Sequence, residues 1–356
     1  MKDTIIKGVV TLFLAGVFNS CYKYEPGDIV PGITNLEVAF NTAGGSDLSK
    51  QIIAEEGGFV QQPFSPVKAG FAFDTWCVDK EMTKEFDFAN LRIFENTTIY
   101  ARYITDQANQ DRFNFDVATK TIGPMKEPDF RKKVKNVVVP AAMAGVAVDK
   151  VTDWAFYQDP ALVSVSISEG VKTIGNECFR QSKKLKVIWM GNSVTTIAGN
   201  VFEGCSELTS IKLSEGLTSI GGGTFANMKK VLNKIVIPNG VTVIPGYCFY
   251  QSEFVGGIEL GNAVTTIQGN AFTDCAIKTL TLPATLTSIG AGAIARSART
   301  VIVKGNDPSK ITLAAFAFLN PLGVTIKVPK SSLEAFRTNA KWAEYNVSPY
   351  QIVADE

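Results

Sequence analysis

At 356 residues the chain is long enough for two or three domains, and a hydrophobic content of 46% can fill sizeable cores. A net charge of +1 gives no strong electrostatic case for a nucleic-acid or anionic-membrane partner. Histidine is absent, which removes the commonest general base and zinc ligand and weighs against catalysis.

The chain opens with Lys2 and Lys7, followed by the apolar run GVVTLFLAGVF (8–18). That run is too short to span a bilayer comfortably and suits a secretory leader. It ends in small and polar residues just before Cys21, a layout that resembles a bacterial lipoprotein signal. The resemblance implies a signal peptide over 1–21 and an outer-membrane lipoprotein lipidated on Cys21, where two acyl chains supply what stable anchoring needs. Residues 22–34, with two prolines, two glycines and no apolar periodicity, read as a tether. Only Glu25 and Asp28 approximate the acidic run that accompanies outward display in such lipoproteins, so the periplasmic side stays open as an alternative to the cell surface.

Residues 35–104 read as a separate unit. The alternation of Leu36–Phe40 predicts a strand, Gly44-Gly45 a turn, 51–54 a second strand and Gly57-Gly58 a second turn. Residues 70–76 alternate apolar with small or polar side chains, and 97–103 close the unit as a last strand. Phe40, the two glycine pairs, Pro63, Phe73, Trp76, Phe86, Phe88, Tyr100 and Tyr103 together resemble the Listeria–Bacteroides (internalin B-type) repeat. That resemblance implies a small β-grasp-like module used as stalk or spacer. Strand periodicity places its aromatic residues in a core. Residues 105–112 then read as polar linker and 113–123 as a strand or hairpin, so that 105–130 joins this unit to the next and covers the next one's open end.

From 131 to 328 the chain repeats itself. Eight times an aliphatic anchor is followed five residues later by a bulky apolar residue: Val151/Phe156, Ile174/Phe179, Ile197/Phe202, Ile220/Phe225, Ile244/Phe249, Ile267/Phe272, Ile289/Ile294 and Ile311/Phe316. The anchors recur every 22 to 24 residues, the period of a solenoid. Pairs at strand spacing, such as Ile188/Met190 and Ile211/Leu213, precede the anchors, and Leu162, Leu185, Leu208, Val231 and Val255 follow them. One such unit cannot bury its apolar side, but stacked units share a core while their strands pair in parallel at ~4.8 Å per turn. The expected fold is therefore mainly β, a solenoid of about eight repeats. Residues 329–356 read as a short helical C-terminal cap that starts at Pro329 and Ser331/Ser332 and packs with Phe336, Trp342 and Tyr345.

Phrases such as LTSIKLSEGLTSIGGGTF (208–225), VFEGC (201–205) and AFTDC (271–275) resemble the BspA-type leucine-rich repeat of bacterial surface proteins. The resemblance implies a secreted or surface-displayed binding protein, often described as an adhesin. Its partners would be host matrix proteins, other extracellular proteins or neighbouring bacterial surfaces.

No chemistry-bearing cluster stands out. Besides Cys21 there are five cysteines; Cys178 and Cys248 share one repeat position and Cys205 and Cys275 another. Each pair is three repeats apart, roughly 14 Å, beyond disulfide reach. They read as small buried hydrophobes. Gly221-Gly222-Gly223 does not follow a strand and open a helix, so it is no phosphate loop. The sequence predicts no catalytic residue, cofactor or metal.

Binding is instead expected on the outward strand positions. Eight residues before each anchor stand Ser166, Trp189, Lys212, Val236, Glu259 and Thr281; ten before stand Ser164, Val187, Ser210, Lys234, Gly257 and Thr279. Trp189 with Val187 is the largest apolar feature, with Lys212 and Lys234 nearby, the profile of a hot spot. The expected function is non-catalytic attachment by a monomeric surface protein through Trp189, Val187, Lys212, Lys234, Val236 and Glu259. The alternatives are a glycan-binding or scaffold lipoprotein of a nutrient-uptake system, for which several exposed aromatic residues should line one row, and a periplasm-facing structural lipoprotein.

Overall fold

The computed structural model describes residues 35–355, apart from Glu55, Glu56, Ala89, Glu127 and Lys230. The leader, Cys21 and the tether lie outside the described residues. The chain divides into two units, Met1–Ala69 with Phe73–Tyr103, and Gly70–Ala72 with Ile104–Glu356.

In the first unit the strands Gln51–Ile53, Leu36–Asn41, Thr97–Thr105 and Phe71–Cys77 form one sheet in that order. Leu36–Asn41 pairs antiparallel with Gln51–Ile53 and parallel with Thr97–Thr105. Its larger apolar residues Leu36, Val38 and Phe40 are buried and Glu37, Ala39 and Asn41 exposed, in strict alternation. Trp76 is the centre of the core, with Phe40 at 5.3 Å and Phe73 at 5.2 Å between ring centroids. The Tyr103 hydroxyl donates to the Thr42 carbonyl at 2.8 Å, so a half-buried aromatic ring keeps a polar partner.

The second unit is a β-solenoid of about 9 turns. Each full turn contributes two short strands and a tight ridge of turns. One strand column runs Asn136–Val139, Ser164–Ile167, Val187–Met190, Ser210–Lys212, all parallel and in register. The anchor column runs Lys150–Val151, Thr173–Ile174, Thr196–Ile197, Ser219–Ile220, also parallel. Because stacking repeats each position directly above itself, identical side chains meet. Phe156, Phe179, Phe202, Phe225, Phe249 and Phe272 form one continuous stack, with successive centroids 4.9 to 5.8 Å apart and planes within 14°. Phe113 closes its N-terminal end edge-on at 6.4 Å. The ridge has two left-handed positions in most turns, three and seven residues after the anchor, among them Trp154, Glu177, Asn200, Gly223 and Tyr247, and Gln158, Gln181, Gly204 and Asn227.

Four details differ from the sequence reading. Residues 105–112 are not all linker: α1 (Asp106–Gln110) forms because the Thr105 hydroxyl accepts from the Ala108 N–H. Buried Asn109 on this helix donates to the Val138 carbonyl on the edge strand of the sheet. The hairpin Phe113–Asp116/Thr121–Met125 then supplies the first rung of the anchor column, pairing Ile122 with Val151.

The last repeat is shifted by two residues. Ile289 pairs with Leu313 rather than Ile311, and Phe318 is fully buried while Phe316 is 67% exposed. A 3-10 turn at Pro308–Lys310, capped by the Asp307 carboxylate, lengthens the connection and moves the register. Likewise Phe254, not Val255, fills the inward position, edge-on to Phe249.

At the C-terminal end, a helix (Leu333–Thr338) forms and Phe336, Trp342 and Tyr345 are buried against the core. The chain then returns as a strand, Gln351–Asp355, parallel to Thr325–Pro329. That last rung was not expected.

Both strand columns break together at one place, and the first breaks again between Ile258–Glu259 and Thr279–Leu282. Ser210–Lys212 and Ile235–Val236 belong to different sheets, as do Ser219–Ile220 and Val243–Ile244. This is the step from Ile220 to Ile244, one residue longer than its neighbours. Phe225 and Phe249 nevertheless remain stacked across it at 5.4 Å.

Candidate functional site

The outward strand positions do not form one open face. Asn136, Ser164, Ser166 and Val187 point away from the core yet are only 1 to 7% exposed. Val187 is the correction that matters, since it was expected beside Trp189 as exposed apolar surface. It lies between the rungs of Ser164 and Ser210, with the larger Trp189 two residues along on the same face. Strand alternation sets the direction of a side chain, not its depth.

From Trp189 onward the row opens. Trp189 is half-buried and pairs in register with exposed Lys212, whose Nζ lies 5.7 Å from the indole centroid, within cation–π range. On the far side of the sheet break, Val236 pairs with Glu259 and is 50% exposed. Glu259 is ion-paired with Lys234, and both side chains are more than half exposed. The structure thus brings together Trp189 with Lys212, and Val236 with Lys234 and Glu259, as two adjacent patches. It removes Val187 from the surface.

One side chain bridges the break between the two patches. The Asn233 carboxamide accepts from the Ile211 N–H at 2.9 Å and donates to the Ile211 carbonyl at 2.7 Å. A side chain therefore makes the two bonds that a neighbouring strand would have made. The signal available in the sequence was an asparagine inside the one repeat of 24 residues that interrupts a run of 23.

A second exposed row was missed. Trp154 is 58% exposed and Tyr247 52%, and both occupy the left-handed position three residues after an anchor. Phe316 takes the same position once the last repeat is re-registered on Leu313. Tyr247 is buttressed edge-on by Tyr250 at 5.5 Å, and its hydroxyl accepts from Asn270 Nδ2 at 3.1 Å. The pattern was visible as Trp and Tyr at equal distance from Val151 and Ile244, but only the ridge geometry turns them outward.

Among the described residues no group of three or more His, Cys, Asp or Glu is placed to hold a metal ion. The five described cysteines are buried free thiols. Burial pushes the Cys178 and Cys248 thiols well up and Cys205 up to about 12, which keeps them protonated and unreactive. Among the described residues no helix is long and apolar enough to cross a membrane.

Residues 132–255 and 242–340 match the BspA type leucine rich repeat region, in 6 copies, and residues 37–102 match the Listeria-Bacteroides repeat domain. Among curated proteins, a Gly-rich membrane protein (so named provisionally) of Evansella cellulosilytica is 32% identical over 22% of this chain and 10% of its own. The chain spans about a tenth of the length of the curated relatives it matches. Among solved structures, a leucine rich cell surface protein of Faecalibacterium prausnitzii is 21% identical over 62% of this chain and 69% of that one, with a TM-score of 0.47. The leucine rich repeat protein of T. pallidum is 18% identical over 70% of this chain and 98% of that one, with a TM-score of 0.39.

Proposed function

Because the chain belongs to the BspA-type leucine-rich repeat family, we propose that it is a non-catalytic binding protein, displayed on the cell surface by a lipid anchor at Cys21. Its solenoid attaches to a host matrix protein or to another bacterial surface. One observation carries this reading: the row of Trp189, Lys212, Val236 and the Lys234–Glu259 pair, one position per turn, on the outward side of successive turns. A half-buried indole beside a cation, flanked by an exposed aliphatic residue and a rim ion pair, has the composition of a protein-binding hot spot. The N-terminal leader and the family support the location, with the Listeria–Bacteroides module as spacer.

Protease shaving of intact cells tests display: the chain, followed by antibody, is lost while a periplasmic marker survives. Survival of the chain sinks the adhesin reading and favours the periplasm-facing structural one. Where display holds, Trp189→Ala lowers binding to the immobilised matrix protein about thirtyfold, whereas Trp154→Ala leaves it unchanged.

The turn ridge favours a second reading. Trp154, Tyr247 and Phe316 share one column, and a row of exposed rings suits stacking on sugars. They stand four and three turns apart, ~19 and ~14 Å, so only an extended glycan would touch two at once. Binding of a neutral oligosaccharide that is lost on Tyr247→Ala and indifferent to Trp189→Ala would select this reading.

A further inference from the structure

We propose that a groove at the N-terminal end of the solenoid, floored by Gly123 and walled by Asn114, Asp116, Thr121, Lys150 and Thr152, binds a neutral saccharide. The groove lies on the first two rungs of the anchor column, the hairpin Phe113–Asp116/Thr121–Met125 and the strand Lys150–Val151. Its volume is about 790 Å³, within the range of small-molecule sites. Phe113 pairs with Met125 and Phe115 with Ile122, so Asn114 alone stands opposite both Gly123 and Pro124. An extra residue of this kind bends its strand. Asn114 Nδ2 donates to the Pro124 carbonyl at 3.2 Å across the bend.

The floor is a glycine that the fold does not demand. Ile122 pairs with Val151 and Val151 with Ile174, so Gly123 takes the same step as Gly175 two turns on. A Cβ on Gly175, Gly221 or Gly290 would collide with the backbone of the preceding turn. A Cβ on Gly123 would meet nothing nearer than Asn114 Cβ at 3.5 Å, an ordinary contact. The bulge does not need glycine either, since φ at Gly123 is not left-handed. A glycine inside a strand weakens it. What the missing side chain provides here is the hollow.

The walls narrow the class of ligand. Hydrogen bonds from the Thr119 hydroxyl and from the Thr119 and Ala118 N–H groups hold the Asp116 carboxyl below the usual carboxylate range, so it is ionised at neutral pH. A carboxylate has about four acceptor sites, one more than these bonds use. The Asn114 amide group is spent on Pro124 and the Thr121 hydroxyl proton on the Thr119 carbonyl, which leaves both side-chain oxygens as acceptors. The Lys150 ammonium lies 3.2 Å from Asp153 Oδ1, so the groove offers no excess of positive charge to a polyanion. Walls this polar do not suit a lipid tail or an apolar helix. Acceptors around a hollow suit a ligand that brings many hydroxyl donors. Trp154, 58% exposed, follows Thr152 by two residues, which sets its Cα at most ~7 Å from that wall. An indole at that distance offers the apolar face of a sugar ring a surface to pack on. The site uses none of the Trp189 row, and it shares Trp154 with the ridge reading but neither Tyr247 nor Phe316.

Saturation-transfer NMR of the full chain tests the site, with neutral di- and trisaccharides of glucose, galactose, mannose, xylose and N-acetylglucosamine as probes and glycylglycine as a zwitterionic control. The expected result is transfer to at least one saccharide and none to glycylglycine. Gly123→Ile fills the hollow with a strand-favouring side chain and abolishes the transfer without lowering the melting temperature. Asp116→Asn keeps an acceptor for the turn and weakens binding at least about tenfold, while Tyr247→Ala leaves it unchanged. Absence of transfer to every saccharide overturns the proposal, as does transfer that survives Gly123→Ile or affinity indifferent to Asp116→Asn. Binding of glycylglycine overturns the assignment to a saccharide. Loss of binding on Tyr247→Ala moves the sugar to the ridge and overturns the groove.

Discussion

Two phenylalanines two residues apart provide the sharpest test of the solenoid's register. Phe318 is fully buried, 5.1 Å from Tyr345 edge-on and 5.8 Å from Trp342, whereas Phe316 is 67% exposed on the ridge. Phe318→Ala removes ~150 Å² of buried apolar area. At ~25 cal/mol per Å² that is ~4 kcal/mol, within the range of about 3–5 kcal/mol for buried Phe→Ala changes. Phe316→Ala removes a ring already in water and is expected to stay within about 0.5 kcal/mol of the parent. Because a solenoid opens locally, hydrogen exchange of the paired strands Thr325–Pro329 and Gln351–Asp355 is the suitable readout. A loss of ~4 kcal/mol speeds exchange there about a thousandfold for Phe318→Ala. Comparable acceleration by Phe316→Ala, or none by Phe318→Ala, would show that the anchor of the last turn is Ile311 after all and refute the register.

The Asn233 bridge and a buried carboxylate yield two further tests. Asn233→Ala strips both partners from the Ile211 backbone, and leaving those groups unmet costs about 1–3 kcal/mol; unchanged thermal stability would mean that water replaces the amide. Asp159 has a fully buried side chain whose proton is held more tightly than in a free carboxylate, because burial outweighs its two backbone hydrogen bonds and the Arg131 guanidinium 3.6 Å away. With its folded value above the unfolded one, the stability this group contributes is complete below the ordinary carboxylate range and is lost as pH rises through the folded value. Asp159→Asn is therefore more stable than the parent at pH 7, and the gain disappears on acidification. A melting series over pH in which the variant is the weaker at pH 7 would mean that the Arg131 pair dominates instead.

The repeat was legible because stacking imposes one chemical demand at one position every turn. A flat ring above a flat ring leaves Phe at Phe156, Phe179, Phe202, Phe225, Phe249 and Phe272, and the spacing alone recovers the axis. What escaped were properties that depend on a local length or a backbone angle. The 3-10 turn at Pro308–Lys310 displaced the register, and two plausible anchors, Ile311 and Leu313, stood side by side. Polar residues 105–112 hid a helix whose only signal was a capping threonine. At the site, alternation gave the outward direction of Val187 and Trp189 but not that the smaller is recessed. The ridge aromatics Trp154 and Tyr247 face solvent through left-handed backbone positions, which a spacing argument does not see.

The double break at the step from Ile220 to Ile244 makes this solenoid a jointed rod. A regular turn is sewn to the next along three lines, the two strand columns and the ridge. At this step the anchor column is unstitched, while the ridge keeps its bonds from Phe225 to Cys248 and Asn227 to Tyr250, both 2.8 Å, and the other strand side is held by Asn233. A body fastened on two sides and free on the third yields by opening on the free side. Bending there would tilt the Trp189–Lys212 patch against the Val236–Glu259 patch without breaking either. A partner that grips both would fix the angle of the joint, and one that grips a single patch would leave it to swing.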